Sequence, residues 1–182
     1  MGIESAHLEE FREFNDFWDK KMHEYDEEAK KVEESLIQKN EEDFQSFQKD
    51  VEASIPMKTK DTATLLNLRK IEESLAKQEK YLEAHKAQQQ RLQLEKEERD
   101  KWNTIRQGKI KAQLELFRKK KETELNALRQ RIKSGQEEQK KAREIELERL
   151  LHKYQNVTKE LEIHQGNEQK IYERNMKIPS IC

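Results

Sequence analysis

The residues able to do chemistry are few and scattered. The 182-residue chain holds five histidines, His7, His23, His85, His152 and His164, and one cysteine, Cys182. A zinc or transition-metal site needs several such ligands at spacings that bring them to one side of an element. No two of these histidines stand at such a spacing, and no second cysteine exists. Gln107-Gly108-Lys109 lacks the upstream glycine and the following Ser or Thr of a phosphate-cradling loop. Asp16-Phe17-Trp18-Asp19 lacks the glycine and spaced oxygens of a calcium loop. Acidic pairs are abundant, but general acid–base catalysis needs a pocket that shifts a pKa, and carboxylates on a solvated helix face have none. The expectation is a protein that is not an enzyme, with no catalytic, cofactor-binding or metal-binding residues.

The residues that stand out are rings. Phe11, Phe14, Phe17, Trp18 and Tyr25 crowd into one short acidic stretch of a chain that is only 7% aromatic. Phe11, Phe14, Trp18, Met22, Tyr25, Ala29, Val32 and Leu36 follow one another at steps of three and four, and the ladder runs on through Asn40 to Phe44, Phe47 and Val51. At ~100° per residue these side chains form one stripe of a helix. The 4-4 steps are stutters that locally straighten a coil. Phe17 falls at the edge of the stripe. Residues Phe11, Phe14, Trp18, Met22 and Tyr25 are the candidate partner-binding stripe. Three covers are open to it: the chain's own second helix at residues 65–102, reached by folding back past Pro56; a partner; or a second copy of the same helix.

The elements that position this stripe follow from the breakers. An acidic helix over 1–55 ends at Pro56, and a polar link over 56–62 offers Asp61, Thr62 and Thr64 as N-caps. No proline recurs before Pro179, so the spacing predicts one very long helix over 63–177, roughly 170 Å at 1.5 Å per residue, and then a tail over 178–182. Its apolar seam starts at Leu65, Leu68, Ile71, Leu75 and Leu82, thins through His85, Gln89, Leu92, Lys96 and Arg99, and returns at Trp102, Ile110, Leu114, Phe117, Leu125, Leu128 and Ile132. It continues at Ala142, Leu150, Tyr154, Val157, Leu161 and Ile171. Whether the helix is continuous through 83–101 is left open. Gly108, Gly135 and Gly166 each end an Ile-x-[Gln/Ser]-Gly pattern, but the spacings rotate them to different faces, so no repeat is inferred. Each costs ~1 kcal/mol against alanine; they are candidate weak points of the helix, the favoured reading, or places of close partner approach.

Charged residues make up 41% of the chain and hydrophobic ones 32%, too few for a globular core. With only 2 Pro, 4 Gly and a net charge of -1, helix is favoured over disorder. The near-neutral total hides a division. Residues 1–60 hold 9 basic against 17 acidic side chains, and residues 101–153 hold 16 basic against 8 acidic. Opposite charges on the two arms permit antiparallel contact within or between chains. Arg118, Lys119, Lys120 and Lys121 form the densest basic run, a candidate contact patch. The bases are spread among acids without interleaved rings, so nucleic acid is disfavoured; a diffuse acidic protein surface suits them better. The acidic aromatic segment disfavours anionic lipid. No apolar run reaches the ~18 residues of a membrane span, and no secretory signal is present. A lone cysteine fits a reducing, cytoplasmic compartment.

LLNLRKIEESLAKQEKYLEAHKAQQQ at 65–90, LEKEERDKW at 94–102 and ELERLLHKYQNVTKELE at 146–162 resemble eukaryotic cytoskeletal and ciliary coiled-coil proteins. The resemblance implies a non-enzymatic, elongated protein attached to microtubules, centrioles or neighbouring coils. The expected fold is therefore an all-α, elongated coiled-coil rod. The expected partners are other coiled-coil helices or a cytoskeletal polymer, with homo-oligomerisation open. The expected role is to brace or tether a cytoskeletal or axonemal assembly. The alternatives are an adaptor that docks a partner through residues 11–25 and a nucleic-acid-associated coil that uses residues 101–153.

Overall fold

The computed structural model describes residues 2–177; the expected tail, with Pro179 and Cys182, lies outside them. The described residues form three α-helices and no strand: α1 (Gly2–Ser54), α2 (Ala63–Lys77) and α3 (Tyr81–Met176). The first break falls where Pro56 places it. Thr62 caps α2 as expected, its hydroxyl accepting from the Leu65 backbone N–H at 3.3 Å.

The single long helix expected from residue 63 is in fact two. The chain turns over Gln78, Glu79 and Lys80. Lys80 N–H donates to the Leu75 carbonyl at 3.0 Å and Glu79 N–H to the Ala76 carbonyl at 3.1 Å. Those two bonds satisfy the last carbonyls of α2 in the pattern that usually carries glycine at the left-handed position. Here Glu79 occupies it, with φ 61°. A non-glycine left-handed residue is unfavourable by ~1–2 kcal/mol, so a sequence without Gly or Asn at this point carries no stop signal.

The chain divides into two compact units. The first comprises Met1–Glu34 with Ala127–Cys182; the second is Ser35–Asn126.

In the first unit α1 and α3 lie antiparallel. Glu10 meets Lys153, Asp19 meets Arg143, and Glu33 meets Arg129, so the numbers fall along one helix as they rise along the other. Trp18 and Tyr25 meet α3 here, at Glu146 and at Ile132 and Gly135, far beyond the 65–102 stretch named for the fold-back alternative. The cause is the site of reversal, which is the turn at 78–80 rather than Pro56.

In the second unit, the last part of α1 and all of α2 pair antiparallel with the start of α3. Asp43 meets Lys121 and Phe47 stacks on Phe117; Thr62 meets Glu98 and Glu72 meets Arg91. The buried residues are Val51, Leu65, Ala84, Ala87 and Ile110. The seam expected through His85, Gln89, Leu92, Lys96 and Arg99 is displaced by about one residue. Ala84, Ala87, Arg91, Leu94 and Glu98 turn inward instead, because two small alanines, one leucine and a set of ion pairs receive α2.

Glycine at position 79 relieves the left-handed strain without altering the turn. Glu79→Gly is expected to raise stability by about 0.5–1 kcal/mol, read as a higher urea midpoint at unchanged helicity.

Candidate interaction surfaces

The aromatic stripe sits in the first unit. Trp18 is 1% exposed and its indole N–H donates to Glu146 Oε2 at 3.1 Å. Burying such a ring removes ~150–250 Å² from water, far more than an exposed ion pair contributes. Phe17 meets the indole edge-on at 5.8 Å between centroids, Phe14 lies tilted at 6.4 Å, and the Lys21 ammonium stands 4.6 Å over the indole.

Arg143 organises the next turn. It donates 2.8 Å hydrogen bonds to Asp19 and to Asn15 and approaches the Met22 sulfur at 3.7 Å. Sequence reading placed Ala142 on this seam. The neighbouring arginine takes the position because it can lay its stem along the stripe and place its planar fork on two oxygens at once.

Tyr25 closes the stripe against Gly135. Its hydroxyl donates to the Ile132 carbonyl at 3.3 Å. A Cβ at position 135 would lie inside the van der Waals envelope of the Tyr25 hydroxyl and only 2.7 Å from Cζ. Gly135 is therefore a place of close approach, the second of the two readings open to it, rather than a weak point. Gly108 and Gly166 have open space around them. The clue was present in the sequence, since Gly135 alone of the three lies on the seam.

At the start of α1, the His7 ring stacks on Tyr154 at 4.1 Å, and the Tyr154 hydroxyl donates to the His7 carbonyl at 3.0 Å. Lys153 donates to both Glu10 oxygens, at 3.0 and 3.1 Å, and this bond holds the Glu10 carboxyl below its ordinary pKa. Burial, with Glu10 nearby, pushes the Tyr154 phenol up.

Two members of the stripe are less covered. Phe11 is 39% exposed, and Phe17, at its edge, is 58% exposed. Trp18, Met22 and Tyr25 face α3.

The basic run lies in the second unit and is divided in use. Arg118 lies over the Phe44 ring at 4.5 Å. Lys121 pairs with Asp43 at 3.2 Å and Glu124 at 3.5 Å, and stands 5.3 Å over Phe117. Burial alone would lower the Lys121 ammonium, but Asp43 and Glu124 outweigh it and hold the pKa above its usual value. Lys119 and Lys120 are exposed. Beside Phe44 and Phe117, a shallow groove takes in Asn40, the polar rung of the ladder, whose buried carboxamide oxygen accepts no hydrogen bond from the described chain.

Sequence reasoning missed the ionic clasp between α2 and α3. Arg91 donates to Glu72 at 2.6 Å and to Glu95 at 3.0 Å, while Arg69 bridges Asp61 and Glu95. Arg69, then Arg91, hold the Glu95 carboxyl below its ordinary pKa. It also missed the capping of α1. The last turn of α1 has no basic side chain of its own. Arg106 supplies one, donating to the Glu52 carbonyl at 2.9 Å and the Ile55 carbonyl at 3.3 Å, and Trp102 donates to the Pro56 carbonyl at 2.9 Å. Neither device has a local signature, because both join residues distant in sequence.

Among the described residues no group of His, Cys, Asp or Glu could hold a metal ion, and no helix is long and apolar enough to cross a membrane. Comparison with protein-family models, with curated proteins and with solved structures returns no match to the chain.

Replacing the close-approach glycine is expected to overpack the seam. Gly135→Ala should destabilise by about 1–3 kcal/mol, although alanine is the better helix former. Gly108→Ala and Gly166→Ala, with open space, should each stabilise by up to ~1 kcal/mol. In a double-mutant cycle, Tyr25→Ala should abolish the penalty at position 135; additive effects would place Tyr25 elsewhere.

Proposed function

We propose that this is a non-enzymatic structural protein, an elongated coiled-coil rod that braces or tethers a cytoskeletal assembly of the microtubule or axonemal kind. The observation that carries the reading is the internal use of the aromatic stripe. Trp18 is buried and bonded to Glu146, Tyr25 is half-buried against Gly135, and Met22 lies by Arg143. A stripe spent in this way gives stiffness to the protein that owns it and leaves less of it for capturing a partner. The described residues form three α-helices and no strand, a composition that suits a spacer. For contact with an acidic polymer the chain offers charge. Lys119 and Lys120 present an ammonium pair free of ion pairs among the described residues, suited to an acidic polymer surface. The resemblance of the α2–α3 sequence to cytoskeletal and ciliary coils points the same way, and the setting that goes with this reading is cytoplasmic.

A second reading has one observation in its favour. Phe17 is 58% exposed beside the indole and Lys21, so an adaptor could still read the edge of the stripe. The nucleic-acid reading loses ground, because Arg118 and Lys121 of the basic run are engaged with Phe44 and Asp43.

Co-sedimentation with stabilised microtubules separates these readings. The structural reading expects salt-sensitive binding that falls about tenfold on Lys119→Glu with Lys120→Glu, at unchanged helicity. Binding that ignores both lysines and is instead lost on Phe17→Ala favours the adaptor. Absence of sedimentation at low salt contradicts the cytoskeletal reading.

A further inference from the structure

In the first unit, hydrogen bonds and ring contacts between α1 and α3 run from Glu33 with Arg129 to His7 with Tyr154. Helix α3 continues to Met176. From residue 158 to 177 every residue is exposed except Gly166, including Leu161, Ile171 and Tyr172. A lone helical stretch of this length is marginal in water unless one face finds cover.

The face to be covered is continuous with one already in use. Arg143, Leu147, Leu150, Tyr154 and Val157 turn toward α1 at steps of four and three. The same alternation, unbroken, next reaches Leu161, His164, Glu168, Ile171 and Asn175. This is a heptad seam whose first half is filled by α1 and whose second half is bare.

We propose that residues 157–175 of α3 pair antiparallel with the same residues of a second copy of this chain, about a two-fold axis at Gly166. The register follows from the sequence. In an antiparallel pair the two kinds of seam position alternate across each layer. Leu161 lies five residues before Gly166 and Ile171 five after, so Leu161 of one copy meets Ile171 of the other, twice. His164 and Glu168 lie two before and two after, so each histidine meets a carboxylate of the second copy. Within one copy His164 Nδ1 already stands 3.3 Å from Glu168 Oε1, which keeps the carboxylate at the seam. At the flank, Glu160 of one copy faces Arg174 of the other, again twice. Polar layers at the centre of a short seam fix its register and keep the association weak. The second copy runs in the direction of α1 and takes up the stripe of α3 beyond it.

Charge disfavours a lipid occupant. Between residues 158 and 177, Lys159, Lys170, Arg174 and Lys177 balance Glu160, Glu162, Glu168 and Glu173, and no basic face is formed. The inference is independent of what Lys119 and Lys120 contact, and its test contains no polymer.

The full chain is examined by sedimentation equilibrium up to about 1 mM, with helicity followed in parallel. A reversible monomer–dimer equilibrium is expected. Leu161→Asp or Ile171→Asp, both at exposed positions, should weaken it at least about tenfold, with helicity no lower than that of the unsubstituted chain at dilutions where it is monomeric. Glu160→Arg should weaken it by bringing two arginines together, and adding Arg174→Glu should restore it. A chain monomeric throughout the range overturns the proposal. So does a dimer indifferent to Leu161 and Ile171, or one that the Glu160–Arg174 exchange fails to rescue.

Discussion

A helix with rings along one stripe and charge everywhere else cannot stand alone in water. Its fate is decided by what covers the stripe. In the first unit the cover is another part of the same chain, and the deepest point of contact is the Trp18 indole, 1% exposed and hydrogen-bonded to Glu146. The other features of that unit serve this contact. Arg143 fastens the turn that follows it, Gly135 makes room for Tyr25, and Tyr154 receives His7 at the start of α1. The contribution of any one exposed ion pair is small, so the acids of α1 facing the bases of α3 act mainly by selecting the antiparallel orientation over others.

The second unit solves a different problem with different means. There α1 ends, the chain crosses a polar link, and α2 lies on α3 without a large aromatic of its own. Small side chains at Ala84 and Ala87 admit the helix, and Arg69, Arg91 and Glu95 join it in a clasp too extended to be a single ion pair. The carbonyls freed at the end of α1 are met by Arg106 and Trp102, so the break at Pro56 leaves few backbone groups orphaned. One carboxamide oxygen, that of Asn40, remains buried without a partner in the described chain.

The helical class, the first break and the ladder from Phe14 to Val51 were legible because they depend on local signals: spacing of three and four, a proline, a capping threonine. Only Val32 falls out of that ladder, and Glu33 turns in to meet Arg129. The turn at 78–80 was not legible. It places glutamate where glycine is the usual signal, and it is stabilised by how well α2 then lies on α3. Without that turn, the one cover that the sequence could name within the chain was residues 65–102, whereas Trp18 and Tyr25 meet residues 132–146. The same error hid the ion clasp, since a continuous helix would never bring Glu72 to Arg91. Of the candidate stripe residues, Phe14, Trp18, Met22 and Tyr25 are buried or half-buried along one face of α1. The division into covered rings (Trp18 buried, Tyr25 half-buried) and exposed ones (Phe11 and Phe17) depends on the partner helix and could not be read from α1 alone.

The central claim is that Trp18 is sealed by its own chain. In a Trp102→Phe background Trp18 is the sole indole, and its fluorescence and acrylamide quenching can be followed across a wide dilution series. Intramolecular sealing predicts a blue-shifted emission that is protected from quencher and constant at every concentration. An indole as open to quencher as a free one would contradict the account, and so would protection that vanishes on dilution, which would assign the cover to another molecule.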